Sequence, residues 1–216
     1  MKSYGRLSVC ILAGGTSQRL GQNKALMPFL GKPLIQRVVE RVTPIATEII
    51  VIANESEDYR FLKLPVVGDK ISGAGALGGL FTALTVAVSP YVTVLACDLP
   101  FVNKELIQAE LDLLLAEPAD VVIPESDDGL EPLHAVYRRE PCLVHVQQAL
   151  VDNQKRLISW FSHVRIRVMT LMEVCKYDPN GTAFININIM ADFVHAEKTA
   201  RKQNQLDNRQ RYGHSE

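Results

Sequence analysis

The residues 10–24, CILAGGTSQRLGQNK, run from an apolar stretch through the pair Gly14-Gly15 to two cations, Arg19 and Lys24. Glycines let a ligand approach backbone amides closely, and successive amides of such a turn can cradle phosphate oxygens. Arg19 can bind two oxygens at once, and Lys24 adds a second positive charge. The spacing is neither that of a P-loop, which needs G-x-x-x-x-G-K-[ST], nor the dinucleotide fingerprint G-x-G-x-x-G. A structural turn carrying two surface cations accounts for the same composition equally well. Asp98 ends the apolar run TVLA-Cys97 and precedes Leu99-Pro100. A charge at the end of a buried strand needs a partner, which a metal ion or a helix N-terminus supplies; it also suits a turn before Pro100. Asn186 and Asn188, two apart in FININ, share one face of an extended segment. Asparagine is depleted in strands, so the pair serves either a ligand or a turn.

These residues need a frame. Apolar runs at Leu7–Ala13, Glu48–Ala53, Tyr91–Ala96, Asp120–Pro124 and Val164–Thr170 read as strands, several of them apolar on both faces. A parallel sheet covered by helices on both sides demands such runs. Leu34–Val42, Leu77–Val88, Lys104–Ala116 and Pro141–Leu150 have helical spacing, with Asn103 as N-cap of the third and Glu105 in its first turn. The alternation predicts an α/β fold, a three-layer α/β/α sandwich with a mostly parallel, Rossmann-like sheet. Glu131–Arg139 interrupts it with an alternating strand-like segment in or beside that sheet. In such folds ligands bind beyond the carboxyl ends of the strands, which is where the loop 14–24 leaves the first strand. Residues 175–182, CKYDPNGT, are turn-rich. From Glu197 onward the chain is polar and Gln/Asn/Arg-rich. The expected organisation is one domain over residues 1–196 and a tail, 197–216, that begins as a helix end and frays into disorder.

The chain has 216 residues, 47% apolar and 22% charged, with 23 Lys and Arg against 24 Asp and Glu. That size lets a single domain bury roughly 70% of its unfolded surface. A net charge of −1 gives no reason to expect a nucleic-acid surface or a polybasic membrane patch. Cys10, Cys97, Cys142 and Cys175 form no C-x-x-C pair, a pattern suited to reduced thiols in a cytoplasmic protein. Glycines end the run Val9–Ala13 too early for a signal sequence or a membrane span.

The segment Leu12-Ala13-Gly14-Gly15-x-Ser17-x-Arg19-x-Gly21-x-x-Lys24 resembles the signature of MobA-type nucleotidyltransferases, which make molybdopterin guanine dinucleotide. Gly31-Lys32-Pro33-Leu34 is similar to that family's turn into its first helix. Residues 66–84, VVGDKISGAGALGGLFTAL, resemble its D-x-x-x-G-x-G-P-L-x-G segment, and ACDLPFV (96–102) its metal-binding strand end. EPLHAVYRR, KRLISWFSHVRIR and FININ follow in the family's order, so the resemblance covers residues 7–196. It implies Asp98 as ligand of Mg²⁺ and Arg19 and Lys24 as triphosphate-binding cations. It further implies nucleotide contacts from Leu12, Ala13, Gly14, Gly15, Asn54, Asp69, Leu77 and Gly78. Asn186 and Asn188 then lie on the acceptor side of the cleft. Taken alone, Asn54 also suits a turn or cap, and a loop aspartate such as Asp69 is usually just solvated. Two departures stand out: Ala76 replaces the family's proline, and Ile189-Met190-Ala191-Asp192 replaces Thr-Pro-Glu-Asp, retaining only Asp192.

The implied reaction is transfer of GMP from GTP to the terminal phosphate of molybdopterin, with release of pyrophosphate. Such a phosphate is largely a dianion at neutral pH, its second pKa being about 6, so no general base is needed and the absence of a catalytic triad is expected. Guanylyl members resemble L-A-G-G in the first loop, where cytidylyl relatives have L-A-A-G. Gly14 leaves room for a purine edge. Lys155, Arg156, Arg165 and Arg167 offer either a wall for molybdopterin's phosphate or solvated surface charge. The expected partners are GTP and the molybdenum cofactor, together with a molybdoenzyme or cofactor-biosynthesis protein. Rival readings are a cytidylyltransferase or other nucleotidyltransferase, and a non-catalytic adaptor that hands cofactor to an apo-enzyme.

Overall fold

The computed structural model describes residues 7–14, 23–187 and 189–212. Gly15, Ser17, Arg19, Gly21 and Asn188 lie outside the described residues. In chain order the elements are β1 (Leu7–Leu12), β2 (Pro28–Phe29), β3 (Lys32–Pro33), α1 (Leu34–Val42), β4 (Glu48–Ile52), β5 (Val66–Val67), α2 (Gly75–Val86) and β6 (Tyr91–Ala96). Then follow α3 (Lys104–Ala116), β7 (Val121–Ser126), β8 (Gly129–Leu130), β9 (Val136–Arg138), α4 (Arg139–Val151), β10 (Ile166–Met169), α5 (Leu171–Val174) and α6 (Met190–Tyr212).

The main sheet has the order β10-β7-β9-β6-β1-β4-β5, with β8 paired to β7. The pairs β6/β1, β1/β4, β4/β5 and β10/β7 are parallel. The segment expected to break the alternation supplies β9, inserted antiparallel between β6 and β7. The central strands are almost wholly apolar, Ser8, Glu48 and Thr93 excepted, because both faces are covered. Val9 and Ile11 of β1 join a core with Ile35 and Val38 of α1 and Leu106, Leu111 and Leu114 of α3. Cys10 points the other way, toward Leu80 and Leu84 of α2 and Val146 of α4. The expected three-layer sandwich is therefore the observed one. All four cysteines are free.

Local chemistry sets the element ends. Asn103 accepts the amide of Leu106 at 3.0 Å and caps α3, as expected. β2 and β3 form a hairpin whose two turn residues, Leu30 and Gly31, have φ of 50° and 82°; two-residue hairpin turns of this kind need positive φ at both positions. Behind the hairpin, Phe29, Leu34, Phe101, Ile187, Ala196 and Ala200 form a third core. Glu197 of α6 accepts the amide of Leu30 at 2.9 Å. α6 crosses position 197 without interruption.

Between α3 and the segment leading into β9, Glu110 and His134 are fully buried and 3.1 Å apart. Burial pushes the Glu110 carboxyl up to about 7, against a smaller downward pull from His134. The His134 ring meets Phe184 edge-on, with centroids 5.1 Å apart. Among the described residues no helix is long and apolar enough to cross a membrane.

Candidate active site

The chain runs from β1 outward to β4 and β5, then returns through α2 to β6 on the other side of β1. The switch in direction opens a crevice beyond the carboxyl ends of β1, β4 and β6. The strand register brings Ile52, Leu12 and Ala96 level with one another at that edge. All three line a cleft of about 340 Å³.

The wall above this floor is the N-terminal end of α2, which contributes Gly75, Ala76 and Gly79. A side chain at Gly79 would come within 2.9 Å of Leu12 Cδ1, so glycine lets α2 press down on the end of β1. Leu77 and Gly78, expected to touch the nucleotide, are turned away. Leu77 is fully buried in the core beneath α2. A Cβ on Gly78 would meet Ala74 Cβ at 2.7 Å and Ile71 O at 3.2 Å. Once the helix starts at Gly75, positions 75, 76 and 79 share the face that looks into the cleft.

Across the cleft, Lys24 Nζ lies 2.6 Å from Asp98 Oδ2, both side chains 14% exposed. Lys24 opens a short 3₁₀ helix, Lys24–Leu26, capped by Asn23, whose Oδ1 accepts from the amide of Ala25 at 3.2 Å. Asp98 stands two residues past β6, in a turn held from several directions. Cys97 N donates to Leu12 O at 3.1 Å, and Ile187 N donates to Asp98 O at 3.2 Å. From α1, Arg37 donates to Pro100 O and Arg41 to Val102 O.

Asn186 is brought to the same carboxylate. With its amide nitrogen facing Asp98, Asn186 donates to Oδ1 at 2.7 Å and to Oδ2 at 2.9 Å. The preceding turn is fixed by buried Asp178, which accepts from the amide of Ala183 at 2.6 Å. The turn-rich stretch 175–182 thus delivers Asn186 to Asp98.

On the β4 side, Ala13, Gly14 and Asp69 line the cleft. A methyl group on Gly14 would sit 3.6 Å from Asp69 Oδ2 and 3.9 Å from Ile52 O, ordinary contacts. The space in front of Gly14 is therefore open and bounded by a carboxylate. Desolvation raises the Asp69 pKa above its ordinary value, with a smaller opposing pull from Asn54. Asn54 does not line the cleft; its Oδ1 accepts from Asp69 N at 2.9 Å and holds the turn that carries Asp69.

The strand-edge arginines do something else. Arg165 binds Asp120 through Nη2 and Nε at 2.9 Å and 3.0 Å, at the amino end of β7. Arg167 bridges Glu117 and Glu173. Lys155 and Arg156 are exposed after α4 and do not line the cleft.

The family model of the MobA-like NTP transferase domain matches residues 9–166, most of this fold and most of the cleft. The chain belongs to that family. Among similar proteins, this MobA-like domain is 36% identical over 190 residues to a Carboxydothermus hydrogenoformans protein named "Probable molybdenum cofactor guanylyltransferase", covering 87% of this chain and 93% of the other. It is 31% identical to the "Molybdenum cofactor guanylyltransferase" of Syntrophotalea carbinolica, covering 86% and 88%. The fold of this MobA-like domain is that of molybdopterin-guanine dinucleotide biosynthesis protein A from Archaeoglobus fulgidus, with TM-score 0.79, 24% identity and coverage of 90% and 99%.

Proposed function

We propose that the protein transfers GMP from GTP to the terminal phosphate of molybdopterin, giving molybdopterin guanine dinucleotide and pyrophosphate. The observation that carries this reading is the Lys24–Asp98 contact, 2.6 Å across a cleft at the strand ends. A cation and a carboxylate facing each other there match the two needs of the reaction, neutralising a triphosphate and holding a divalent cation.

The donor set suits Mg²⁺. Among the described residues no group of three or more His, Cys, Asp or Glu forms a protein metal cage. Magnesium does not require one, since it keeps several waters and binds through one or two carboxylates plus substrate phosphates. Asp98 is that carboxylate, and the Asn186 amide turned over presents a second oxygen beside it. When bound, the ion neutralises charge developing on the phosphates.

The protein's own residues do the rest. Lys24, with Arg19, binds and neutralises the triphosphate. A phosphate oxygen of the acceptor, already ionised, attacks the α-phosphorus of GTP. The bond to the β-phosphate oxygen breaks, and pyrophosphate leaves with the electron pair. Asn186 and Asn188 serve the acceptor. Gly14, open toward Asp69, suits guanine: its N1–H and exocyclic amine are adjacent donors that a carboxylate can accept together. Cytosine offers only one donor group on its pairing edge.

The test is incubation with Mg²⁺, molybdopterin and each of the four nucleoside triphosphates, followed by mass identification of the products. GTP should give the guanine dinucleotide and CTP little or none. A cytosine dinucleotide in equal yield, or binding without turnover, would replace this reading by one of its rivals.

A further inference from the structure

Tyr59 belongs to none of the motifs above. It lies in a 3₁₀ helix, Ser56–Leu62, between β4 and β5, fully buried in the core that α1 and α3 cover. Its hydroxyl donates to Ala13 O at 3.0 Å and accepts from Asn23 Nδ2 at 3.1 Å. The phenol's donor and an acceptor site are thus both used. Burial raises the Tyr59 pKa further above neutrality.

The two partners are ten positions apart in the sequence. Ala13 ends the chain's run along β1, where its amide is already held by Ile52 O at 2.9 Å. Asn23 caps the short helix that begins with Lys24. Asn23 Nδ2 also lies 3.4 Å from the exposed Asp58 carboxylate, a longer contact. One buried hydroxyl therefore fixes both the point where the chain enters the glycine-rich segment and the point where it reaches Lys24. The distance from Gly14, on the base side of the cleft, to Lys24, on the phosphate side, depends on that fixation.

We infer that Tyr59 is a positioning residue for the nucleotide, acting through Ala13 and Asn23 to set the spacing between Gly14 and Lys24. This rests on the nucleotide reading of the cleft. A phenylalanine at position 59 keeps the ring packing and removes only the two hydrogen bonds. Loss of two neutral hydrogen bonds corresponds to about a tenfold change in an equilibrium.

The experiment compares wild type, Tyr59→Phe, Asn23→Ala and the double variant. It reads the Kd for GTP with Mg²⁺ in the absence of acceptor, KM for GTP and for molybdopterin, and the thermal midpoint. The expected result is a GTP Kd and KM raised about tenfold by Tyr59→Phe, with the acceptor KM unchanged. Asn23→Ala should act in the same direction, and more strongly because it also uncaps the Lys24 helix. The double variant should cost less than the sum of the two singles, since both remove the Tyr59–Asn23 hydrogen bond. A lower thermal midpoint with unchanged GTP affinity would make Tyr59 a packing residue only, and fully additive effects would likewise overturn the inference. Wild-type GTP binding, measured first, separates the two claims. Its absence would remove the nucleotide reading and this inference with it, whereas normal wild-type binding left unchanged by both single variants refutes Tyr59's role alone.

Discussion

Lys24 and Asp98 are each mostly sheltered from solvent, so the charge pair is screened less than a surface ion pair. Lys24→Ala removes the positive side of that pair. Loss of a positioned donor of this kind costs on the order of a hundredfold in kcat, and GTP affinity should fall with it; unchanged affinity and rate would return Lys24 to a purely structural role. Gly14 gives a sharper prediction. The protein leaves room for a methyl group there, 3.6 Å from Asp69 Oδ2, so Gly14→Ala should fold normally and act through the ligand. The ratio of kcat/KM for GTP to that for CTP should drop about tenfold to a hundredfold. An equal loss with both nucleotides would mean that Gly14 serves the turn and not the base.

At the scale of elements, α5 is a single turn held by a capping box between Thr170 and Glu173, with Arg167 bound to the same glutamate. Hydrogen bonds from Arg167 and, secondarily, from the Thr170 backbone hold the Glu173 carboxyl down at about 2. A carboxyl depressed in the folded state stabilises it fully above its unfolded pKa, and that contribution is lost as pH falls toward the folded value. Glu173→Gln should therefore lower stability by about 1 kcal/mol at pH 7. The gap to wild type in denaturant titrations should narrow as pH falls from about 4.5 toward about 2. A gap independent of pH would assign the effect to shape and not charge. Elements with a strong local signal were legible in the sequence: the apolar spacing of Leu34–Val42 and the Asn103 cap of Lys104–Ala116 need no distant partner. The antiparallel slot of β9 was not, because strand order is decided by which neighbours bury its faces. Nor did spacing reveal that α2 begins at Gly75, two residues before the expected start, and so turns Leu77 and Gly78 from the cleft. Tyr59 carried no signal at all, since its bonds to Ala13 and Asn23 join segments far apart in the chain.

Over the whole molecule, the apolar strands form a floor that the switch between β4 and β6 opens on one edge. Two cores, one on each face, hold that floor rigid, and α6 closes a third core behind the hairpin. The residues proposed for the reaction reach the open edge from four separate segments: Gly14 after β1, Lys24 beyond it, Asp98 after β6 and Asn186 from the turn held by Asp178. Only the folded sheet brings them together, which is why composition left a structural turn and a nucleotide site equally open. Guanylyl transfer at this edge requires Asp98 as the metal-binding carboxylate under the proposed function. The most direct measurement is pyrophosphate released from GTP in the presence of molybdopterin and Mg²⁺, by wild type and by Asp98→Asn, an almost isosteric change. Wild type should release pyrophosphate in step with guanine dinucleotide, and an Asp98→Asn variant shown to be folded at the assay temperature should release none above background. Release at the wild-type rate from that variant, at limiting Mg²⁺, would contradict that requirement.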